Sequence, residues 1–275
     1  MEKQKKIALI NDLTGFGRCS IAVELPLISA LGVQACPLPT AILSVHTDFP
    51  HYFLDDYTEK LPAYVRSWQE NKLAFDGIAT GFMSSVRQIT LVQAFINAFK
   101  TQDTLVIVDP VMGDDGRLYA SYTPALCAAM RKLVEKADVI TPNLTEACQL
   151  TGQDYPAAAD LTPAYLVDLA AALTALGPRQ VVITGLTEGK RIGNYLYEKG
   201  QKPALISVEK TAANRPGTGD AFAAIVSAAL VRGESLTSAV TKASTFIQKA
   251  LVYTEKLGQP KNWGLAFEGV LKELY

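Results

Sequence analysis

The chain has 275 residues, 49% hydrophobic and 19% charged, with a formal net charge of −1. That is enough apolar material for a sizeable core in one domain or two. It leaves no basic field or basic–aromatic run for nucleic acid or anionic lipid. No apolar run approaches the roughly 18 residues of a membrane span, and the N-terminal one is too short for a secretion signal.

In chain order, residues 5–12 are a short apolar run read as a strand, followed by helical periodicity over 18–31 that stops at Gly32. A second strand is expected at 33–39 and a helix over about 55–71, kinked or begun late at Pro62. Strands at 75–81 and 104–110 precede helices near 86–100 and 123–136, the second after a long loop. A strand at 138–143 leads into LTEACQLTG, and a helix near 162–176 leads into a strand at 180–185. Strands alternating with helices imply an α/β fold, a mainly parallel sheet with helices on both faces. Residues 191–209 alternate and turn at Glu198-Lys199-Gly200, which predicts an antiparallel hairpin at the sheet edge. Three helices, near 218–232, 235–254 and 264–274, complete the chain. With no internal repeat or low-complexity linker, residues 1–275 are expected to form a single domain. The four cysteines, Cys19, Cys36, Cys127 and Cys148, show no C-x-x-C spacing, so they read as reduced thiols of a cytoplasmic protein.

In an open α/β sheet, ligands bind beyond the carboxyl ends of the strands. Four segments place polar groups there. In PGTGDAF, Gly217 and Gly219 allow close backbone approach at a helix N-terminus, which favours anions. Asp220 reads equally as the N-cap of that helix and as a carboxylate that accepts a substrate proton. In DPVMGDDGRLYASYTP, the carboxylates of Asp109, Asp114 and Asp115 suit Mg²⁺, while Asp115-Gly116 also reads as a turn. In TPNLTEA, Asn143 and Glu146 have the spacing of a capping box, although Glu146 could instead face a metal water. In SVHTDFPHYF, His46 and Thr47 stand where a loop would cover a pocket.

These segments, with the N-terminal stretch ALINDLTGFGRCSIAVELPLISALGVQACPLPTAILSVHT and with DGIATGF, VDPVMGD and VVITG, follow the order of a known family. The chain resembles the ribokinase-like superfamily of small-molecule kinases, and within it the pyridoxal kinases, from residue 7 to about 246. The S-x-H-T segment points to that branch and away from sugar kinases. The resemblance implies a three-layer fold, a central and largely parallel sheet flanked by helices, in a chain that is commonly a homodimer. It implies ATP-dependent phosphorylation of the 5′-hydroxymethyl group of pyridoxal, pyridoxine or pyridoxamine, with Mg²⁺ and often a monovalent cation, K⁺ or Na⁺.

Position by position, it implies Asp220 as catalytic base and Gly217, Thr218 and Gly219 as the anion hole. Asp109 and Glu146 match metal positions. Asp114, Tyr122, Thr141, Asn143 and Thr184 match the ATP side, together with Thr218 and Gly219. Asn11, His46, Thr47 and Phe82 match positions around the pyridine ring. Asn11 stands where many pyridoxal kinases carry serine, and Phe82 where tyrosine is frequent. Hydroxymethylpyrimidine kinases share these motifs and phosphorylate a similar group on a flat ring, which makes that activity the alternative. A non-catalytic vitamer-binding protein is a third reading, one that would be free to lose Asp220.

Overall fold

A computed structural model describes residues 3–275 of this protein, whose strands are buried at the centre of the sheet and more exposed toward its edges. In chain order they are β1 (Lys6–Phe16), β2 (Gln34–Val45), β3 (Leu54–Asp56), β4 (Gly77–Thr80), β5 (Leu105–Val108), β6 (Gly113–Asp114), β7 (Arg117–Leu118), β8 (Val139–Ile140), β9 (Gln180–Glu188), β10 (Arg191–Glu198) and β11 (Ala204–Glu209). Nine of these form one sheet in the order β11-β10-β9-β8-β5-β4-β1-β2-β3. The six from β2 to β9 run parallel, and both edges are antiparallel. The strand order reverses at β1, which lies between β2 and β4. A crevice at the carboxyl ends of the strands opens at such a switch point.

Alternation along each strand sends side chains to two separate cores. Ala8 and Ile10 join Val106 and Val108 on one face, while Ile7 and Leu9 join Ile107 on the other. The first core is covered by α2 (Leu61–Glu70), α3 (Val86–Phe99), α4 (Pro124–Val134), α5 (Leu144–Thr151) and α6 (Pro163–Ala175). The second is covered by α1 (Ile21–Ala30), α7 (Thr218–Val231) and α8 (Leu236–Lys256). The expected α/β architecture and its edge hairpin, β10–β11, are present. Among the described residues, no helix is long and apolar enough to cross a membrane.

The differences from the sequence reading sit around the crevice. The first two strands run on to Phe16 and Val45, past the expected ends at 12 and 39, because each continues as the other's partner. That ladder skips Asp12 between Asn11 and Leu13. The helix expected from about residue 55 begins at Leu61, since Leu54–Asp56 pairs with Ala41–Leu43 and Pro62 occupies the first turn. Helix α1 begins at Ile21 and not at residue 18, because Arg18 and Ser20 have φ of 44° and 54°. The long loop after β5 contains the β6–β7 hairpin, which turns through Asp115 and Gly116 at φ 48° and 76°. The last helix is a 3₁₀ segment, Glu268–Leu274.

Candidate active site

Asp220 belongs to the first turn of α7 but does not cap it. The capping position is Gly217, at φ 85° and ψ −2°, with no side-chain cap hydrogen bond. The N-cap reading of Asp220 is therefore replaced: its carboxyl is free to face the crevice. Among the first amides of α7, that of Thr218 makes a long 3.3 Å bond to the Arg215 carbonyl, while the next ones have no preceding helical carbonyl to bond, so this end is positive. Thr218 keeps its hydroxyl in the loop, donating to Asn214 at 2.7 Å and to the Arg215 carbonyl at 3.0 Å.

Gly217 is required by the fold. A Cβ there would lie 2.1 Å from the Arg18 carbonyl oxygen, in a backbone conformation that side chains rarely adopt. Gly219 differs. A Cβ at that position would meet nothing within 4 Å, and its φ is not positive.

Asp109 follows β5, between Thr80 at the end of β4 and Thr141 just beyond β8. The hydroxyls of Thr80 and Thr141 are buried without a hydrogen-bond partner. Glu146 on α5 closes the expected capping box: Asn143 Oδ1 accepts the Glu146 amide at 3.0 Å, and Glu146 Oε2 accepts the Asn143 amide at 2.8 Å. Its other oxygen accepts the Met112 amide at 3.0 Å, which ties the loop after β5 to α5. Asn143 also donates to the Gly113 carbonyl at 2.7 Å, so the hairpin bearing Asp114 is fastened over this helix start. The Thr184 amide donates to the Pro142 carbonyl at 2.8 Å, which brings the middle of β9 to the same place. Tyr122 is buried beneath, its hydroxyl near the Met83 carbonyl.

At the other end of the crevice, Asn11 is committed within the protein. Its Oδ1 accepts the amides of Asp12 and Phe82, each at 2.9 Å, and its Nδ2 donates to Glu24 Oε2 at 3.0 Å. His46 is buried with both ring nitrogens occupied. Nε2 lies 2.6 Å from the Asn262 carbonyl and therefore donates, leaving Nδ1 to accept the Asp48 amide at 3.3 Å. A ligand would meet the face of its ring, not a nitrogen. Thr47, beside it, is exposed on the loop after β2.

Sequence reasoning gave no role to four groups. Asp12 is buried and accepts from Ser20 Oγ at 2.6 Å and Thr14 Oγ1 at 2.8 Å. Glu24 is buried in α1. The Arg18 side chain crosses to Glu268 at 2.7 Å and to the Trp263 carbonyl at 3.2 Å. The Leu265 amide donates to the Pro216 carbonyl at 3.0 Å, so the C-terminal segment braces the loop before α7. A charged residue among the apolar positions of α1 was the one visible signal.

Five carboxylates, Asp12, Glu24, Asp109, Glu146 and Asp220, thus share a crevice, and none has a salt-bridge partner among the described residues. Burial, then the Asp220 charge, raises both Asp109 and Glu24. Burial, then Asp109, raises Glu146. Burial pushes Asp220 up to about 6, against hydrogen bonding from the Ser20 backbone and the Asn11 side chain. A carboxyl raised on folding stabilises most below its unfolded pKa of about 4 and loses that contribution as pH rises through its folded value. Metal-free protein should therefore lose thermal stability as pH rises from about 4 through 6 and beyond, which calorimetry across that range would measure. A Tm that rises monotonically from pH 4 to pH 8 would contradict it.

The donor set fits Mg²⁺. Asp109 and Glu146 are hard oxygen ligands, and Thr141 has an orphaned hydroxyl in the same stretch. Among the described residues no group of three or more His, Cys, Asp or Glu forms a ready metal cage. Mg²⁺ commonly takes only one or two carboxylates and completes its shell with water and substrate phosphates.

A family model described as phosphomethylpyrimidine kinase matches residues 21–263. The chain belongs to this family. Its relatives in the family carry two kinds of name. The chain is 31% identical over 208 residues to a pyridoxal kinase of Arabidopsis thaliana, covering 72% of this chain and 65% of that protein. It is 29% identical over 271 residues to a hydroxymethylpyrimidine/phosphomethylpyrimidine kinase of Haemophilus influenzae, covering 94% and 95%. A Bacteroides thetaiotaomicron structure, provisionally assigned as a phosphomethylpyrimidine kinase and crystallised with pyridoxal, is 38% identical at a TM-score of 0.93, covering 99% of this chain and 96% of that one. The chain spans less than two thirds of the plant kinase and about half of the longer bifunctional thiamine-biosynthesis relatives.

Proposed function

We propose that this chain transfers the γ-phosphoryl group of ATP to the 5′-hydroxymethyl group of a vitamin B6 vitamer: pyridoxal, pyridoxine or pyridoxamine. The observation that carries the reading is Gly219, a first-turn helix residue whose lack of a side chain nothing in the fold requires. Glycine there costs helix stability relative to alanine, about 1 kcal/mol at most. A phosphoryl group approaching the backbone explains it.

In this reading Asp220 accepts the proton of the attacking hydroxyl. With its pKa pushed up to about 6, it is ionised at neutral pH and still a competent base. The amides of Gly217, Thr218 and Gly219 meet the charge on the transferring group, which is mostly a matter of positioning and electrostatics. The ATP phosphates and nucleoside lie along Asp114, Tyr122, Thr141, Asn143 and Thr184, together with Thr218 and Gly219. Mg²⁺, held by Asp109 and Glu146, supplies charge neutralisation on the phosphates when bound. The ring packs against Phe82, the face of His46 and Thr47, with Asn11 acting through the groups it holds. A monovalent cation, K⁺ or Na⁺, and a homodimer belong to the same proposal, as does the whole chain working as one domain.

Pyridoxal in the Bacteroides relative's crystal supports a pyridine substrate for this chain. The end-to-end match to the Haemophilus kinase favours a second reading, phosphorylation of hydroxymethylpyrimidine. One assay separates them: ADP release from MgATP with each of the three vitamers and with hydroxymethylpyrimidine. The proposal expects a higher kcat/KM for at least one vitamer than for the pyrimidine. A clear preference for the pyrimidine would reverse the order of the two readings, and turnover with neither would sink both.

A further inference from the structure

Of the two buried carboxyls that the proposed transfer leaves without a task, Asp12 is held by the Ser20 and Thr14 hydroxyls and Glu24 by Asn11 alone. Glu24 lies on α1 with the buried Ile21, Val23, Leu27 and Ile28, is 4% exposed, and has no cation within salt-bridge distance among the described residues. A carboxyl in such a place is costly to desolvate, and an apolar side chain of similar volume would ordinarily make the protein more stable. Its one hydrogen bond runs to Asn11 Nδ2 at 3.0 Å. Asn11 is in turn oriented without ambiguity. Its oxygen takes the amides of Asp12 and Phe82, so its NH₂ end must point toward α1. One of those hydrogens serves Glu24, and the same side chain favours the charged form of Asp220.

We propose that Glu24 is a positioning residue: through Asn11 it keeps an amide N–H aimed at Asp220 and holds the Phe82 backbone, so that base and ring wall keep a fixed relation. The inference rests on Asp220 being the base. Without the Glu24 acceptor, the Asn11 amide is held only through its oxygen, and its NH₂ end loses the bond that fixes the plane in which it faces the carboxylate. Burial, followed by the neighbouring Asp220 charge, raises the Glu24 carboxyl well above the ordinary carboxylate range. A neutral carboxyl still accepts from Asn11 and adds no charge beside the base. Glutamine offers the same acceptor in the same shape; methionine fills the same space and offers none.

The test compares Glu24→Gln, Glu24→Met and Asp220→Asn with the unmodified chain, reading Tm, kcat, KM for both substrates and the pH profile of kcat. Glu24→Met should equal or exceed the parent Tm, yet lose at least about tenfold in kcat at an unchanged KM for ATP, as misplacement of a catalytic group does. The acid limb of its pH profile should move upward, because Asp220 loses a donor to its charged form. Glu24→Gln should stay within about threefold of the parent kcat, since the acceptor is restored. Parent-like kcat in Glu24→Met, equal impairment of the two Glu24 variants, or a Glu24→Met chain that fails to fold would each overturn the proposal, the last by showing a structural role. Retained activity in Asp220→Asn would remove the base assignment and this inference together. Lost activity there, with a fully active Glu24→Met, would remove this inference alone.

Discussion

Replacing Asp220 with Asn is expected to lower kcat by about 10²–10⁴-fold, the range that positioned proton transfer contributes, while the chain stays folded. The expectation follows from where the residue sits. Asp220 is in the first turn of α7, and the cap is Gly217, with no side-chain cap hydrogen bond. Its carboxyl instead shares the crevice with Asp109 and Glu24, both of which feel its charge. Removing that charge relieves repulsion, so the metal-free variant should melt at or above the parent temperature at pH 8. Loss of turnover without loss of stability is the signature of a functional group, and ADP release measured beside a melting curve reads both. Near-parental turnover in the folded variant would return Asp220 to a structural residue of the helix start.

The second large effect is a contrast between two glycines of one motif. Gly217→Ala should lose at least about 2 kcal/mol of stability, because a left-handed conformation with a Cβ is strained and a backbone oxygen blocks the new atom. That oxygen belongs to Arg18, 2.1 Å from the added carbon, itself in a strained turn latched to Glu268. The damage should therefore spread into the α1 start and the C-terminal segment. Gly219→Ala should do the opposite to stability, gaining about 0.5–1 kcal/mol as the new methyl enters open space on a helix. Its kcat should nevertheless fall by about 10²-fold, because a methyl group beside the amides displaces the phosphoryl group from them. Denaturant melts with turnover assays on both variants would test this. A fully active Gly219→Ala would remove the main support for phosphoryl transfer at this helix.

Much of this was legible in the chain itself. The alternation of apolar runs with helical patterns carried the α/β fold, because burial on both faces of a parallel sheet leaves continuous Val, Ile and Leu runs such as 105–108. The order of PGTGDAF, DPVMGD and TPNLTEA carried the kinase family, and the spacing of Asn143 and Glu146 carried a capping box that is present as read. These are local properties: each depends on residues a few positions apart, which sequence displays directly.

Other features depend on groups that meet only after folding. Strands β1 and β2 extend to Phe16 and Val45 because they pair with each other, past the ends at 12 and 39 that Gly15 and the prolines at 37 and 39 suggest. Arg18 reaches Glu268 from 250 residues away. Gly217 and Gly219 look alike in the motif, yet only the first has a backbone oxygen packed against it. Asp12 and Glu24 read as ordinary acidic positions until the sheet and α1 bury them beside Asp220. Sequence by itself determined the elements, their order and the family's motifs, because propensity and burial pattern act locally. Tertiary structure alone decided which carboxyls share one desolvated crevice, because desolvation and charge repulsion act through space between residues far apart in the chain.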